Sequence, residues 1–373
     1  MKENNKKIII TLLSILVGFI FGGIILKIAG YPPIEAYKII IEGIFGSPRY
    51  ISHTIIRSTP IIITGISVAF AFNTGLFNIG AEGQFIMGSL GAALAGYLLN
   101  LPPVLHAIVA IITGAIFAGL WAGIVGVLKA KKGVNEVISS IMLNWVALYL
   151  NNYIISKSFF RRPNSDSSHK IMESAEILVL GKWKQSEAGK LFLAENKFLG
   201  EFLKPSVNYG FIIAIVLAIV IWYILKYTTL GYQLKAVGSN KEAAEYAGID
   251  IEKNIIRSLV IAGAIAGIAG ATHVLGVSHQ VSLLTAPEEY GFDGMAVSLI
   301  GGNNPLGAVA AGLLFGALKY GGGKLNSLMN APSEVISIMI GVIILFIAMP
   351  KLFEMLGESL LKAKDRDRGE KNG

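Results

Sequence analysis

Glu82 stands in "NTGLFNIGAEGQF", a polar, glycine-rich stretch from Asn73 to Phe85 that separates two strongly apolar runs. A carboxylate there has to be paired or wet, because an Asp, Lys or Arg at bilayer depth costs roughly 2.5 to 3.5 kcal/mol on insertion scales. Two roles fit. In one, Glu82 joins Asn73, Asn78 and Gln84 as a polar contributor to a translocation path. In the other, the stretch is a loop at the membrane surface, its glycines serve turn geometry, and Glu82 caps the next helix near its positive end. Both hold at once where an interrupted helix puts a capped end inside a bundle.

A second acidic group, Glu288, Glu289 and Asp293, sits in "SLLTAPEEYGFDG", where Pro287 marks a loop entering an apolar run. Solvated carboxylates are the plain expectation there, and a place on the path for Asp293 is the sharper one. The apolar stretch "VNEVISSIMLNWVALYLNNYII" carries Asn135, Glu136, Asn144, Asn151 and Asn152. Asn144 and Asn151 are seven residues apart, close to two helical turns, so they share a face suited to helix-to-helix hydrogen bonds or to lining a path. His273, inside another apolar run, suits a hydrogen-bonded helix contact or a substrate contact.

Enzyme chemistry finds little to stand on. Cysteine is absent, which excludes disulfides, thiolate metal sites and a cysteine nucleophile. The histidines His53, His106, His169, His273 and His279 contain no i, i+4 pair, and no Gly-x-Ser-x-Gly elbow occurs. "GALKYGGGKLNS" lacks the Ser or Thr that should follow Lys324 in a phosphate-binding loop. No catalytic residue, metal ligand or cofactor of this chain is expected.

The elements that must position these groups are membrane helices. The chain of 373 residues is 53% hydrophobic and only 15% charged, with a mean hydropathy of +0.62. Its clearest apolar runs are 8–29, 55–72, 104–128, 134–155, 209–227, 255–275 and 335–349, with glycine-rich ones at 84–99, 292–300 and 306–320. Since about 20 apolar residues cross a bilayer core, this predicts an all-α polytopic membrane protein with about ten transmembrane or re-entrant helices. The first run follows Lys2, Lys6 and Lys7 but has no cleavage-like end before Tyr31, so residues 1–30 read as a transmembrane anchor ahead of a core at 31–350.

The net charge of +8 sits in loops beside apolar spans, as the positive-inside rule requires, so no nucleic-acid partner is implied. Basic clusters at both ends, at Lys129 to Lys132 and from Lys226 to Arg257 place both termini in the cytoplasm. The loop 156–206 then lies outside despite its basic residues. Its stretch "SEAGKLFLAENKFLGEFL" spaces Leu191, Leu193, Phe198 and Phe202 as a surface helix would. Residues 351–373 read as a disordered cytoplasmic tail.

Two patterns organise the rest. "GAEGQF" from Gly80 and "GFDGMA" from Gly291 share Gly-x-acid-Gly, one in each half and each beside an interrupted apolar run, a weak internal repeat of the kind that points to a transport path. In "GSNKEAAEYAGI", Ser239 followed by Glu242 reads as a capping box, and Gly248 suits the left-handed position past a helix end. Between them lie Ala243, Ala244 and Ala247. So short a helix is not stable alone, and its small residues predict docking against something.

Together "FNTGLFNIGAEGQF", "VNEVISSIMLNW", "LKAVGSNKEAAEYAGI" and "GFDGMAVSLIGGNNPLGA" resemble the permease subunit of a bacterial ATP-binding-cassette importer. The branch is the one holding branched-chain amino-acid and ribose permeases, and within it the nucleoside-uptake type, in particular the larger of two paired permeases. The resemblance spans residues 55 to 349. It implies a second permease subunit, two cytoplasmic ATPase subunits carrying ATP and Mg, and an extracytoplasmic binding lipoprotein or periplasmic protein, all at the bacterial cell membrane. It also makes residues 239–248 the coupling helix toward the ATPase. Simple-sugar uptake is the alternative within the family, and an ion-coupled transporter using Glu82 and Asp293 the alternative outside it.

Overall fold

The computed structural model describes residues 2–349 and 355, so the tail expected at 351–373 lies outside the described residues apart from Met355. The described chain is helical, with only isolated β-bridges. Its helices are α1 (Lys2–Ile28), α2 (Pro33–Phe45), α3 (Pro48–Phe72), α4 (Ala81–Leu98), α5 (Leu105–Lys132), α6 (Glu136–Ile155), α7 (Gly181–Gln185) and α8 (Glu187–Glu195). There follow α9 (Lys197–Leu203), α10 (Gly210–Tyr227), α11 (Thr229–Ser239), α12 (Lys241–Tyr246), α13 (Ile251–His273), α14 (Tyr290–Ile300), α15 (Pro305–Met329) and α16 (Ser333–Ile347).

Six of these are long and apolar enough to cross a membrane: α3, α5, α6, α10, α13 with the π-turn that extends it to Ser278, and α15. The ten segments expected from sequence are reached only by adding the pair α1 and α2, bent by 116°, the less apolar 18-residue α4, and the shorter α14 and α16. At 1.5 Å per residue the 11 residues of α14 cover about 16 Å, half a bilayer core, so α14 is a half-span. The bend before α2 follows from Pro32 and Pro33, which withhold backbone donors and push the residue before them out of the helical region.

The described residues form two compact units, one of those up to 46 with those from 318 onward, the other of residues 47–317. In the smaller, α1 packs on α16, and Tyr31 donates its hydroxyl to the Asn330 carbonyl. The larger is built around α4, which is buried along almost all of its length against α5, α13 and α6. Close approach there depends on small residues: a Cβ at Gly88 would lie 2.4 Å from the Gly267 Cα. Where lipid offers no hydrophobic driving force between helices, such backbone contact supplies the dispersion that holds them together. The outer face of α5 presents an exposed stripe, Ile108, Ile112, Ile116, Leu120 and Ile124, as a membrane helix does.

The segment 156–206 folds over one end of this unit. Its backbone pairs with the end of α4 (Met172 N–H to Gly96 C=O, 2.8 Å) and with the π-turn (Ile177 N–H to Leu275 C=O, 3.1 Å). Phe160, Ile171 and Ile177 are buried in the same cluster as Leu90 and Leu275. The single surface helix expected here is broken in two at Asn196, whose φ of −101° and ψ of 80° are not helical. Leu191 and Phe198 are exposed on the resulting α8 and α9.

Candidate functional site

Between α3 and α4 the chain is not helical, and every polar side chain of that break is committed to holding it. Asn73 closes α3, donating Nδ2 to the Ala69 carbonyl at 2.8 Å and to the Asn303 carbonyl at 3.4 Å. Asn78 and Gln84 exchange two amide hydrogen bonds, each 2.8 Å. Asn78 also donates to Ser67 Oγ, which in turn donates to the Ala262 carbonyl of α13. Asn144, from α6, accepts from the Gly83 N–H at 2.9 Å and donates to the Ile79 carbonyl at 3.0 Å. Buried polar groups must be paired, and this set is paired within one chain.

Glu82 does cap a helix, but not its own. Its carboxylate accepts from the backbone N–H groups of Glu289 (2.9 Å) and Gly291 (2.7 Å), at the start of α14. Both the free donors and the positive dipole end of α14 are thereby met by a fully buried carboxyl group. The two Gly-x-acid-Gly copies abut: a Cβ on Gly291 would fall 2.2 Å from the Glu82 backbone nitrogen. Thr64 of α3 donates its hydroxyl to the Tyr290 carbonyl at 2.8 Å, fixing the same helix start from the other side. Asp293 lies in the first turn of α14, its N–H bonded to the Glu289 carbonyl.

The segment that leads into α14 is held by the far end of α6. Asn151 donates to the Ser282 carbonyl at 3.2 Å. Asn152 donates to the Leu284 carbonyl and accepts from the Leu284 N–H, both at 2.8 Å. The asparagine face of α6 thus grips both interrupted segments.

The space beside this framework is lined by other residues. A cavity of about 230 Å³ lies among His53, Arg57, His273 and Tyr290. Pockets for small ligands run about 300 to 1,000 Å³, so this is a small one. The rings of His273 and Tyr290 are 5.1 Å apart, and Phe85 of α4 backs both at 5.9 and 5.0 Å. Of the residues expected on a path, His273 borders this cavity; Asn78, Glu82, Gln84, Asn144 and Asn151 are buried and bonded to the protein itself. Arg57, His53 and Tyr290 escaped the sequence reading. Arg57 carried the signal that could have found it, a lone cation inside the apolar run "IIRSTPIII".

At the opposite end of the unit, α12 is capped by Asn240, whose Oδ1 accepts from the Ala243 N–H at 2.9 Å. Ser239 instead ends α11, so the expected Ser239–Glu242 capping box is not formed and the cap lies one residue later. Gly248 has φ +79°, and the Gly248 N–H to Glu245 and Ile249 N–H to Ala244 bonds complete a Schellman turn. Ala244 is buried against the protein, whereas Glu242, Ala243 and Ala247 are exposed and Tyr246 almost wholly so.

A family model described as the permease component of the branched-chain amino acid transport system matches residues 50–348. The chain is 40% identical over 349 residues to the guanosine ABC transporter permease protein NupP of Bacillus subtilis, covering 93% of this chain and 95% of that one. It is 35% identical over 369 residues to the nucleoside ABC transporter permease protein NupB of Lactococcus lactis, covering 98% and 96%. The glucose ABC transporter permease protein TsgB13 of Haloferax volcanii is 28% identical over 345 residues, covering 92% and 87%. No solved structure matches.

Proposed function

The chain belongs to the family of permease components of branched-chain amino acid transport systems, and from that membership we propose that it is the transmembrane permease subunit of an ATP-driven nucleoside importer. The observation that carries the substrate class is the 40% identity with a guanosine permease across 93% of the chain, against 28% with a glucose permease. The geometry supports the reading in kind. Half-helix α14, capped by the buried Glu82 and entered through a segment held by α6, is the sort of interrupted element from which transport paths are built.

In this reading a second permease faces the open side of the His53–Tyr290 cavity. Two ATPase subunits, which carry ATP and Mg, receive α12 with its exposed Ala243 and Tyr246. A binding lipoprotein or periplasmic protein delivers substrate to the face covered by residues 156–206. Both termini are cytoplasmic, and the assembly sits in the bacterial cell membrane. ATP closes the ATPase pair because it binds the closed form more tightly, and that difference in affinity drives alternating access.

The test is uptake by a cell lacking its own nucleoside transporters and supplied with this chain, its neighbouring permease, ATPase and binding protein. ATP-dependent nucleoside accumulation is expected. Accumulation of glucose or ribose alone would overturn the substrate class, and uptake driven by an ion gradient in vesicles without the ATPase would overturn the importer class.

A further inference from the structure

Arg57 lies nine residues into α3, about 14 Å along a helix that is otherwise buried around it. Ile56 and Ser58 on either side are buried, while Arg57 is exposed and opens into the cavity it shares with His53, His273 and Tyr290. A permanently charged guanidinium within the apolar run 55–72 has to meet water or a ligand rather than lipid. Next to it stands a rigid aromatic surface. Tyr290 is fixed at its backbone by Thr64 and, through its helix start, by Glu82; its ring is backed by His273 and Phe85.

A flat π-face beside a planar fork of donors defines a ligand chemistry. The face stacks any nucleobase, which is sequence-tolerant and worth a substantial part of binding. The fork is more selective: guanidinium donors pair with two adjacent acceptors on one base edge, the O6 and N7 of a 6-oxopurine. A 6-aminopurine presents an amino donor in place of O6 and meets the fork donor to donor. Uracil has no such adjacent pair, because its N3–H donor separates O2 from O4. We propose that Arg57 and Tyr290 form a passage site that favours 6-oxopurine nucleosides, Tyr290 stacking the base and Arg57 reading its O6/N7 edge. This rests on the nucleoside-importer reading and deepens it.

The complete importer, with its ATPase and binding protein, is assayed for uptake of guanosine, inosine, adenosine and uridine. In Arg57→Gln, uptake of guanosine and inosine should fall relative to adenosine by roughly tenfold or more, the scale of one lost bidentate base contact. Arg57→Lys keeps the charge and donors that reach both O6 and N7, and should retain total uptake with most of the preference. Tyr290→Leu should reduce all nucleosides together, and Tyr290→Phe should not. Nucleoside uptake whose guanosine-to-adenosine ratio is the same in wild type, Arg57→Gln and Arg57→Lys overturns this inference alone. A wild-type importer that takes up no nucleoside overturns the importer reading and this inference with it.

Discussion

Glu82 and Gly291 are 209 residues apart in the chain, and the carboxylate of the first accepts the backbone N–H of the second at 2.7 Å. The acid in the first interrupted segment thus holds the helix that follows the second.

Substitution at Glu82 follows from the two N–H groups it serves. Hydrogen bonds to a charged partner contribute about 1.5 to 3 kcal/mol each. Glu82→Gln keeps one acceptor and turns an amide donor toward the other N–H, so it should cost about 2 kcal/mol. Glu82→Leu leaves both donors buried and unmet, and should cost about 3 to 5 kcal/mol. Thermal unfolding of the purified protein in detergent reads the difference. Equal midpoints for the two variants would remove the capping role.

The cap of α12 discriminates between neighbours. Asn240→Ala should destabilise that turn by about 1 kcal/mol, as loss of an N-cap does. Ser239→Ala should stay within about 0.5 kcal/mol of wild type. Hydrogen exchange of the Ala243 amide, which Asn240 accepts, is the direct measurement, and faster exchange in Ser239→Ala instead would reverse the assignment.

Docking of α12 on an ATPase calls for a probe that leaves the permease intact. Ala243 is exposed, so Ala243→Phe should keep the unfolding midpoint but abolish uptake and substrate-stimulated ATP hydrolysis. Ala244 is only 3% exposed and faces inward, so Ala244→Phe should overpack and cost about 1 to 3 kcal/mol on its own. Full uptake by Ala243→Phe would sink the coupling role.

His279 makes the covering segment acid-sensitive. Burial holds its imidazole below the usual value of 6.5, with Lys170 pushing the same way and Glu176 opposing. Nδ1 makes no hydrogen bond and stands 3.7 Å from Glu176 Oε1. The unfolded imidazole therefore takes a proton first, and stability present above pH 6.5 is lost as pH falls below it toward the folded pKa. His279 has φ +55°, a conformation asparagine also tolerates, so His279→Asn is the matching control. The Ile171 N–H bonds the His279 carbonyl, and its protection, the intrinsic exchange rate at each pH divided by the observed rate, should fall between pH 7 and 5 in wild type and much less in His279→Asn. Identical pH profiles would count against the histidine.

Local features were the legible ones. The interruption at 73–80, the left-handed Gly248 and the long apolar helices each follow from composition within a few residues. The identity of the α12 cap was ambiguous because Ser239 and Asn240 are both cap-forming types and only backbone geometry separates them. That Glu82 belongs to α14, and that Asn144 clamps Gly83, are pairings between residues 61 to 209 positions apart. No periodicity encodes such pairings. The break at Asn196 was hidden for the opposite reason: the apolar spacing continues across it although the backbone does not.

The asparagine face of α6 has a mechanical corollary. Asn144 is fastened to the first interruption, and Asn151 and Asn152 to the second. A rigid slide or axial rotation of this one rod carries both joints together, so α6 cannot move one interruption without the other answering.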